Sequence, residues 1–287
     1  MKKINNVFGY VHAIRGAFIA FLVFIVIAIY LPSGGGNRDI ELILTISTFI
    51  FAILVGFFIS RLNNRYDTVR DLMAKEDGLW TSYYRASMFF GKKFQQRMKK
   101  IIDNYYIVMF DFELDDYYKP TVRYFEEAYK ELNNNVKFKK NNSDNVFDDM
   151  VVTLQEIETT RNTTSVLGGQ RLTLGQWSIL LTLSFIIVFC LYYLVSGIIF
   201  KIIMVILSTA IVTVLLTVRD LQNFRLGGKL MVEESGQEVF EALGVPRYYH
   251  KSYLKQGVTK IPKNIKEFRI GQHELGEKLD IKLIKRK

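Results

Sequence analysis

Apolar and polar residues are segregated along this chain into long blocks. Four blocks, residues 16–31, 40–60, 177–197 and 198–218, are apolar on every helical face. Charge touches them only at Arg15 just before the first, at Glu41 at the entrance of the second and at Lys201 near one end of the fourth. A helix rising 1.5 Å per residue needs roughly 20 apolar residues to cross a hydrocarbon layer ~30 Å thick. Three blocks reach that length, and the first does so by borrowing Ala13 and Ile14. Buried core helices of a soluble protein rarely stay apolar all round for so long. The first block does not read as a cleaved leader, because the second follows after eight residues, PSGGGNRD, without a small-residue cleavage pattern. The pattern predicts an all-α membrane protein with four transmembrane helices and a helical cytoplasmic domain. The expected division is a first transmembrane pair (1–60), a cytoplasmic helical domain (61–176), a second transmembrane hairpin (177–218) and a basic tail (219–287).

Between the blocks the period is also helical. Apolar residues recur at Tyr66, Val69, Met73, Trp80 and Tyr84, so the second span is expected to run on as one long helix, with Gly78 its weakest point. A further helix fits Phe94, Met98, Ile101, Tyr105 and Met109, and another starts at Pro120, a favourable first-turn position. The polar stretch 133–144 reads as a loop, and a helix over 146–166 presents Met150, Leu154 and Ile157. The tail predicts one short helix over 229–243, stopped by Gly244 and Pro246. No strand alternation of any length stands out.

Charge sets the orientation. Of 38 Lys and Arg, 36 fall in the two ends and the middle segment, which four spans place on one side. The positive-inside rule makes that side cytoplasmic and the location an inner or plasma membrane. The net charge of +10 sits mainly in residues 247–287, with 12 basic and 4 acidic residues. Beside a membrane such a tail points to anionic headgroups; no nucleic-acid motif accompanies it. One cysteine, Cys190, excludes a disulfide scaffold, and three histidines do not make a histidine-built metal site. Phosphate-loop, nucleophile-elbow and zinc-protease motifs are missing, so the sequence implies no enzyme and no cofactor. Gly34, Gly35 and Gly36 read as a flexible outer loop, and Asp111, Glu113, Asp115 and Asp116 as a solvated turn without EF-hand spacing. Trp80 reads as packing, Trp177 as an interfacial anchor.

The informative pattern lies in the second span. Phe49, Ile53 and Phe57 recur every four residues and stack on one face. Around a symmetry axis they would form apolar rings that gate by dewetting; on one copy they would only touch lipid or neighbouring spans. Thr45, Thr48, Ala52, Gly56 and Ser60 are assigned to the opposite face, a small-residue stripe for helix packing.

The layout of four spans, a large helical segment and a tight second outer hairpin resembles the bestrophin channels. Gly56-Phe57-Phe58, with Arg65-Tyr66 following, is similar to the bestrophin pattern Gly-Phe-aromatic and Arg-Trp. Similar still are microbial bestrophin-like domain membrane proteins, which share a helix of the kind VRDLMAKEDGLWTSYYR and the Tyr105-Tyr106 region. The resemblance implies a homo-oligomer, a pentamer by family, in which Phe49, Ile53 and Phe57 form a hydrophobic neck and Arg65-Tyr66 is a post-span motif. It implies membrane lipid and small inorganic ions as partners, anions favoured, although some bacterial relatives pass cations. The family's acidic calcium clasp after the fourth span has no counterpart here, where Arg219 and Asp220 are followed by a basic tail. The alternative reading is a non-conducting anchor or sensor whose cytoplasmic helices bind a partner protein, with exposed apolar faces around residues 80–106. A lipid-modifying enzyme is disfavoured by the missing catalytic set.

Overall fold

A computed structural model describes residues 12–30, 34–112, 118–134, 144–225, 235–255, 257, 259–272 and 280–286. Four helices among the described residues are long and apolar enough to cross a membrane. They are α1 (Ala13–Tyr30), α2 (Arg38–Ala86), α6 (Leu174–Tyr193) and α7 (Ile198–Gln222), with α3 (Lys92–Asp111), α4 (Tyr118–Asn134) and α5 (Asp144–Gly169) between the pairs. The chain divides into two compact units, residues 1–66 with 171–228 and residues 67–170 with 229–287.

The first unit is the bundle of spans. α1 packs along α7, and α6 pairs with α7. One apolar core joins Phe51, Val55, Phe58 and Leu62 of α2 to Leu180 and Ile187 of α6 and Val218 and Leu221 of α7. A second core holds Ala28, Val195, Met204 and Val205. Start signals are local. Thr173 and Gln176 form a reciprocal capping box, Gln176 N donating to Thr173 Oγ1 (3.3 Å) and Thr173 N to Gln176 Oε1 (2.8 Å). The glycines expected to form a flexible loop are not all free of contact. A Cβ on Gly34 would lie 2.0 Å from the Tyr193 carbonyl oxygen, so that position needs a residue without one.

α2 is a single helix of 49 residues, about 74 Å at 1.5 Å per residue. It passes through Gly78 unbroken. It ends instead in a 3-10 turn, Ser87–Phe90, where the Ser87 hydroxyl donates to the Tyr84 carbonyl (2.5 Å) and Gly91 at φ +91° turns the chain into α3. A helical glycine costs only ~1 kcal/mol, whereas a hydroxyl bonding back into the last turn and a positive φ offer a route out of the helix.

The second unit is built on aromatic packing. Trp80 lies at ring distances of 5.9 Å from Tyr83, 5.1 Å from Tyr105 and 5.5 Å from Phe125. Phe94, Met98, Ile101, Tyr105 and Met109 of α3 are buried, as their spacing predicts, and Pro120 falls in the first turn of α4. The tail departs from the reading without strands. It carries α8 (Gln237–Ala242), β1 (Arg247–His250), α9 (Lys251–Lys255), β2 (Glu267–Gly271) and β3 (Ile281–Lys285). The sheet order is β1-β2-β3, β1 parallel and β3 antiparallel to β2. Most of the polar loop at 133–144, the first part of the predicted tail helix, and Glu113, Asp115 and Asp116 lie outside the described residues.

Candidate functional site

The membrane part of α2 has two sides. Ser47, Phe51, Val55, Phe58, Leu62 and Arg65 recur every three or four residues and are buried against the other spans. Phe49, Ile53 and Phe57 stand on the other side, 66%, 55% and 64% exposed in the single chain. Thr45, Thr48, Ala52, Gly56 and Ser60 are exposed as well. The small residues do not lie opposite the bulky ones. Ala52 and Gly56 follow Phe49 by three and seven residues, the spacing that returns to one face at 3.6 residues per turn. Bulky and small positions therefore share one outer arc of α2, and the opposite side is the packed one. All five are exposed in the single chain, and a Cβ added at Gly56 would meet nothing within 4 Å.

The post-span motif sits at the C-terminal end of the buried stripe. Arg65, 8% exposed, lays its guanidinium over the Phe224 ring at 4.1 Å and donates from Nη1 to the Gln222 carbonyl (3.1 Å). Tyr66 packs against the same ring at 6.2 Å. Phe224 belongs to the turn that ends α7: Phe224 N donates to Leu221 O (3.2 Å) and Arg225 N to Asp220 O (2.9 Å). That pair of bonds is a Schellman motif, which places a left-handed residue just past the helix, usually glycine. Here the position holds a phenylalanine at φ +53°, a conformation costing a side-chain-bearing residue roughly 1–2 kcal/mol. The neighbouring Gln222 accepts at Oε1 from Leu172 N and from the Trp177 indole N–H, both at 3.1 Å. Trp177, predicted to anchor at the membrane interface, thus also ties the start of α6 to the end of α7. Asp220, pairing with Arg219 at 2.9 Å, accepts from Ala13 N at the start of α1 (3.0 Å). The start of α1, the Arg65 end of the membrane part of α2, the start of α6 and the end of α7 meet in this small polar junction.

In the second unit three acidic residues of α2 and α3 hold the tail. Asp77 accepts from Tyr106 Oη (2.7 Å), Ser235 Oγ (2.7 Å) and Gly236 N (2.8 Å). Burial pushes its carboxyl above the ordinary 3.8, and these donors pull the other way. Asp103 takes both guanidinium nitrogens of Arg269, at 2.7 and 2.8 Å. Asp111, expected in a solvated turn, instead has its carboxylate side chain buried, accepting from Tyr248 Oη at 2.7 Å with His250 Nε2 3.7 Å away. Burial, then the neighbouring carboxylates, holds the Tyr106 and Tyr248 phenols above their ordinary range. Glu76 accepts from Tyr105 Oη inside the aromatic core. The apolar faces over residues 80–106 are largely covered: Trp80, Tyr83, Phe94, Met98, Tyr105 and Tyr106 are buried, and Met88 and Phe89 are exposed. The anchor reading required those faces to be open.

Similarity to known proteins points one way. A family model described as the bestrophin-like domain matches residues 16–224. A bacterial bestrophin homologue from Klebsiella pneumoniae superposes with a TM-score of 0.60 at 15% identity, over 81% of this chain and 98% of that one. A point variant of that homologue gives a TM-score of 0.61 at 14% identity, over 80% and 97%. A further crystal structure, described only as a membrane protein, gives 0.60 at 15% identity over 80% and 97%. No curated protein matches the chain.

Proposed function

The chain belongs to the bestrophin-like family, and from that membership we propose that it is a homo-oligomeric ion channel, a pentamer, of the inner or plasma membrane with both termini cytoplasmic. Its second spans line the axis, and Phe49, Ile53 and Phe57 form three apolar rings. The observation that carries this reading is the two-sidedness of α2. Phe51, Val55 and Phe58 fasten the span to its own bundle, while a bulky stripe flanked by small residues stays open in the single chain. Facing lipid, the small residues would gain nothing; next to another copy, Thr45, Thr48, Ala52, Gly56 and Ser60 allow close approach. A ring of aromatic and aliphatic side chains excludes ions by dewetting and needs no charge to close.

The apolar blocks carry no charged residue in their interiors, so ion preference comes from charge outside the neck. The basic balance of the tail favours small monovalent anions. The sequence offers no acid–base or nucleophile set, in keeping with a family of channels rather than enzymes.

Purified protein in liposomes is expected to pass ions, with flux raised when Phe49, Ile53 and Phe57 are replaced together by Ala. A monomer in native lipid, or no flux from either protein, overturns the reading.

A further inference from the structure

The strained Phe224 points to a device that acts on the proposed neck. Ordinary helix-end chemistry calls for glycine where the Schellman turn of α7 places Phe224 at φ +53°. An outlier of this kind is retained when the side chain does something the backbone pays for. Here the ring covers the Arg65 guanidinium at 4.1 Å and Tyr66 at 6.2 Å. Arg65 is nearly buried, and two of its contacts are the Gln222 carbonyl and the face of this ring. Gln222 in turn holds Leu172 N and the Trp177 indole. A guanidinium that both stacks and donates is fixed in direction as well as in distance, which an ammonium does not reproduce.

Arg65 lies eight residues beyond Phe57 on the same unbroken helix. A rigid helix cannot turn at Phe57 without turning at Arg65. We propose that Arg65, Phe224 and Gln222 form a clasp that fixes the rotation of α2 about its own axis and so decides which of its outer side chains face the pore. The proposal rests on the channel reading above. The three are positioning residues: they reach no ion and act through Phe49, Ile53 and Phe57. A helix advances ~100° per residue, so a turn of α2 by about 60° would bring Gly56, and one of about 100° Ala52, to the angle that Ile53 holds. The clasp is thereby a coupling point: whatever shifts the end of α7 also turns the neck.

The test reads rotation directly. Single cysteines, A52C or I53C, are introduced in full-length protein whose one native cysteine, Cys190, is buried. Labelling by a water-soluble thiol reagent is then compared in liposomes in four backgrounds: unchanged, Phe224→Gly, Phe224→Tyr and Arg65→Lys. I53C is expected to label faster than A52C in the unchanged background. The ratio is expected to shift several-fold in Phe224→Gly and Arg65→Lys and to return in Phe224→Tyr, with particle size constant. Phe224→Gly is diagnostic, because it relieves the backbone and removes only the ring. If that variant fails to assemble, Arg65→Lys carries the same decision. Faster labelling of I53C by the same ratio in every background overturns the clasp and leaves the pore standing. Failure of both positions to label in liposomes that pass ions overturns the neck assignment and the clasp with it.

Discussion

At the scale of single residues, two positions show how a local geometric demand becomes measurable. Gly34 approaches the Tyr193 carbonyl so closely that an added methyl would sit 2.0 Å from its oxygen. The neighbour is backbone and cannot swing aside, so Gly34→Ala is expected to cost about 1–3 kcal/mol. The same change at Gly35, with nothing near its Cβ, is expected to be close to neutral. Thermal unfolding in detergent compares the two, and equal midpoints would refute the close approach. Asp77 makes a pH-dependent demand. Burial raises its carboxyl above the ordinary 3.8, so the folded protein holds a proton there more tightly than the unfolded chain does. Its contribution to stability is greatest at pH below the unfolded value and is lost as pH rises through the raised, folded one. Asp77→Asn removes that titration while keeping an acceptor for Ser235 and Gly236. Acidification through the raised value is therefore expected to stabilise the unaltered protein relative to Asp77→Asn. Parallel pH profiles of the two midpoints would exclude it.

At the scale of elements, legibility followed length. The spans and α3 could be read from the sequence because apolar blocks and three-four spacing repeat over many turns, and burial follows the same period. The Pro120 start is likewise a local signal. The tail sheet was not legible. Its strands RYYH, EFRIG and IKLIK are four or five residues long and bury no clean alternation, so period-two reasoning has nothing to grip. What holds them is distant in sequence: Arg269 of β2 on Asp103, and Tyr248 of β1 on Asp111. The same distance hid the partners of Arg65: the resemblance marks Arg65-Tyr66 as a post-span motif, but only the fold brings Phe224 and the Gln222 carbonyl to it. The opposite-face assignment of Ala52 and Gly56 failed for a different reason, a helical phase that the residue spacing already contained. The Asp103–Arg269 pair gives the element-scale test. Both side chains are mostly buried, 18% and 11% exposed, and losing a charged bidentate partner costs about 1.5–3 kcal/mol. Arg269→Ala is expected to speed proteolysis of the C-terminal segment without altering the spans' helicity. The exchange Asp103→Arg with Arg269→Asp is expected to recover part of the protection. Unchanged cleavage in Arg269→Ala would mean that the pair does not hold the tail.

At the scale of the whole molecule, apolar and charged residues do separate jobs. The rings proposed at Phe49, Ile53 and Phe57 carry no charge, so they can set how readily ions pass but not which sign passes. The excess of Lys and Arg is concentrated in residues 247–287, with 12 basic against 4 acidic residues, away from the proposed neck along the chain. If that charge selects anions, it does so through water, and salt must screen it. The Debye length is about 30 Å at 0.01 M and falls to about 3 Å at 1 M. In liposomes the anion-to-cation permeability ratio, read from reversal potentials, is therefore expected to exceed one at low salt. It should fall towards one as salt rises. Replacing Phe49, Ile53 and Phe57 by Ala is expected to raise the flux while leaving the ratio and its salt dependence in place, because the substitution alters the gate and spares the field. Neutralising Lys282, Lys285 and Arg286, exposed bases on and beside β3, should reduce the low-salt ratio without raising flux. A ratio that ignores salt and tail charge but changes with the neck substitutions would move selectivity into the rings themselves.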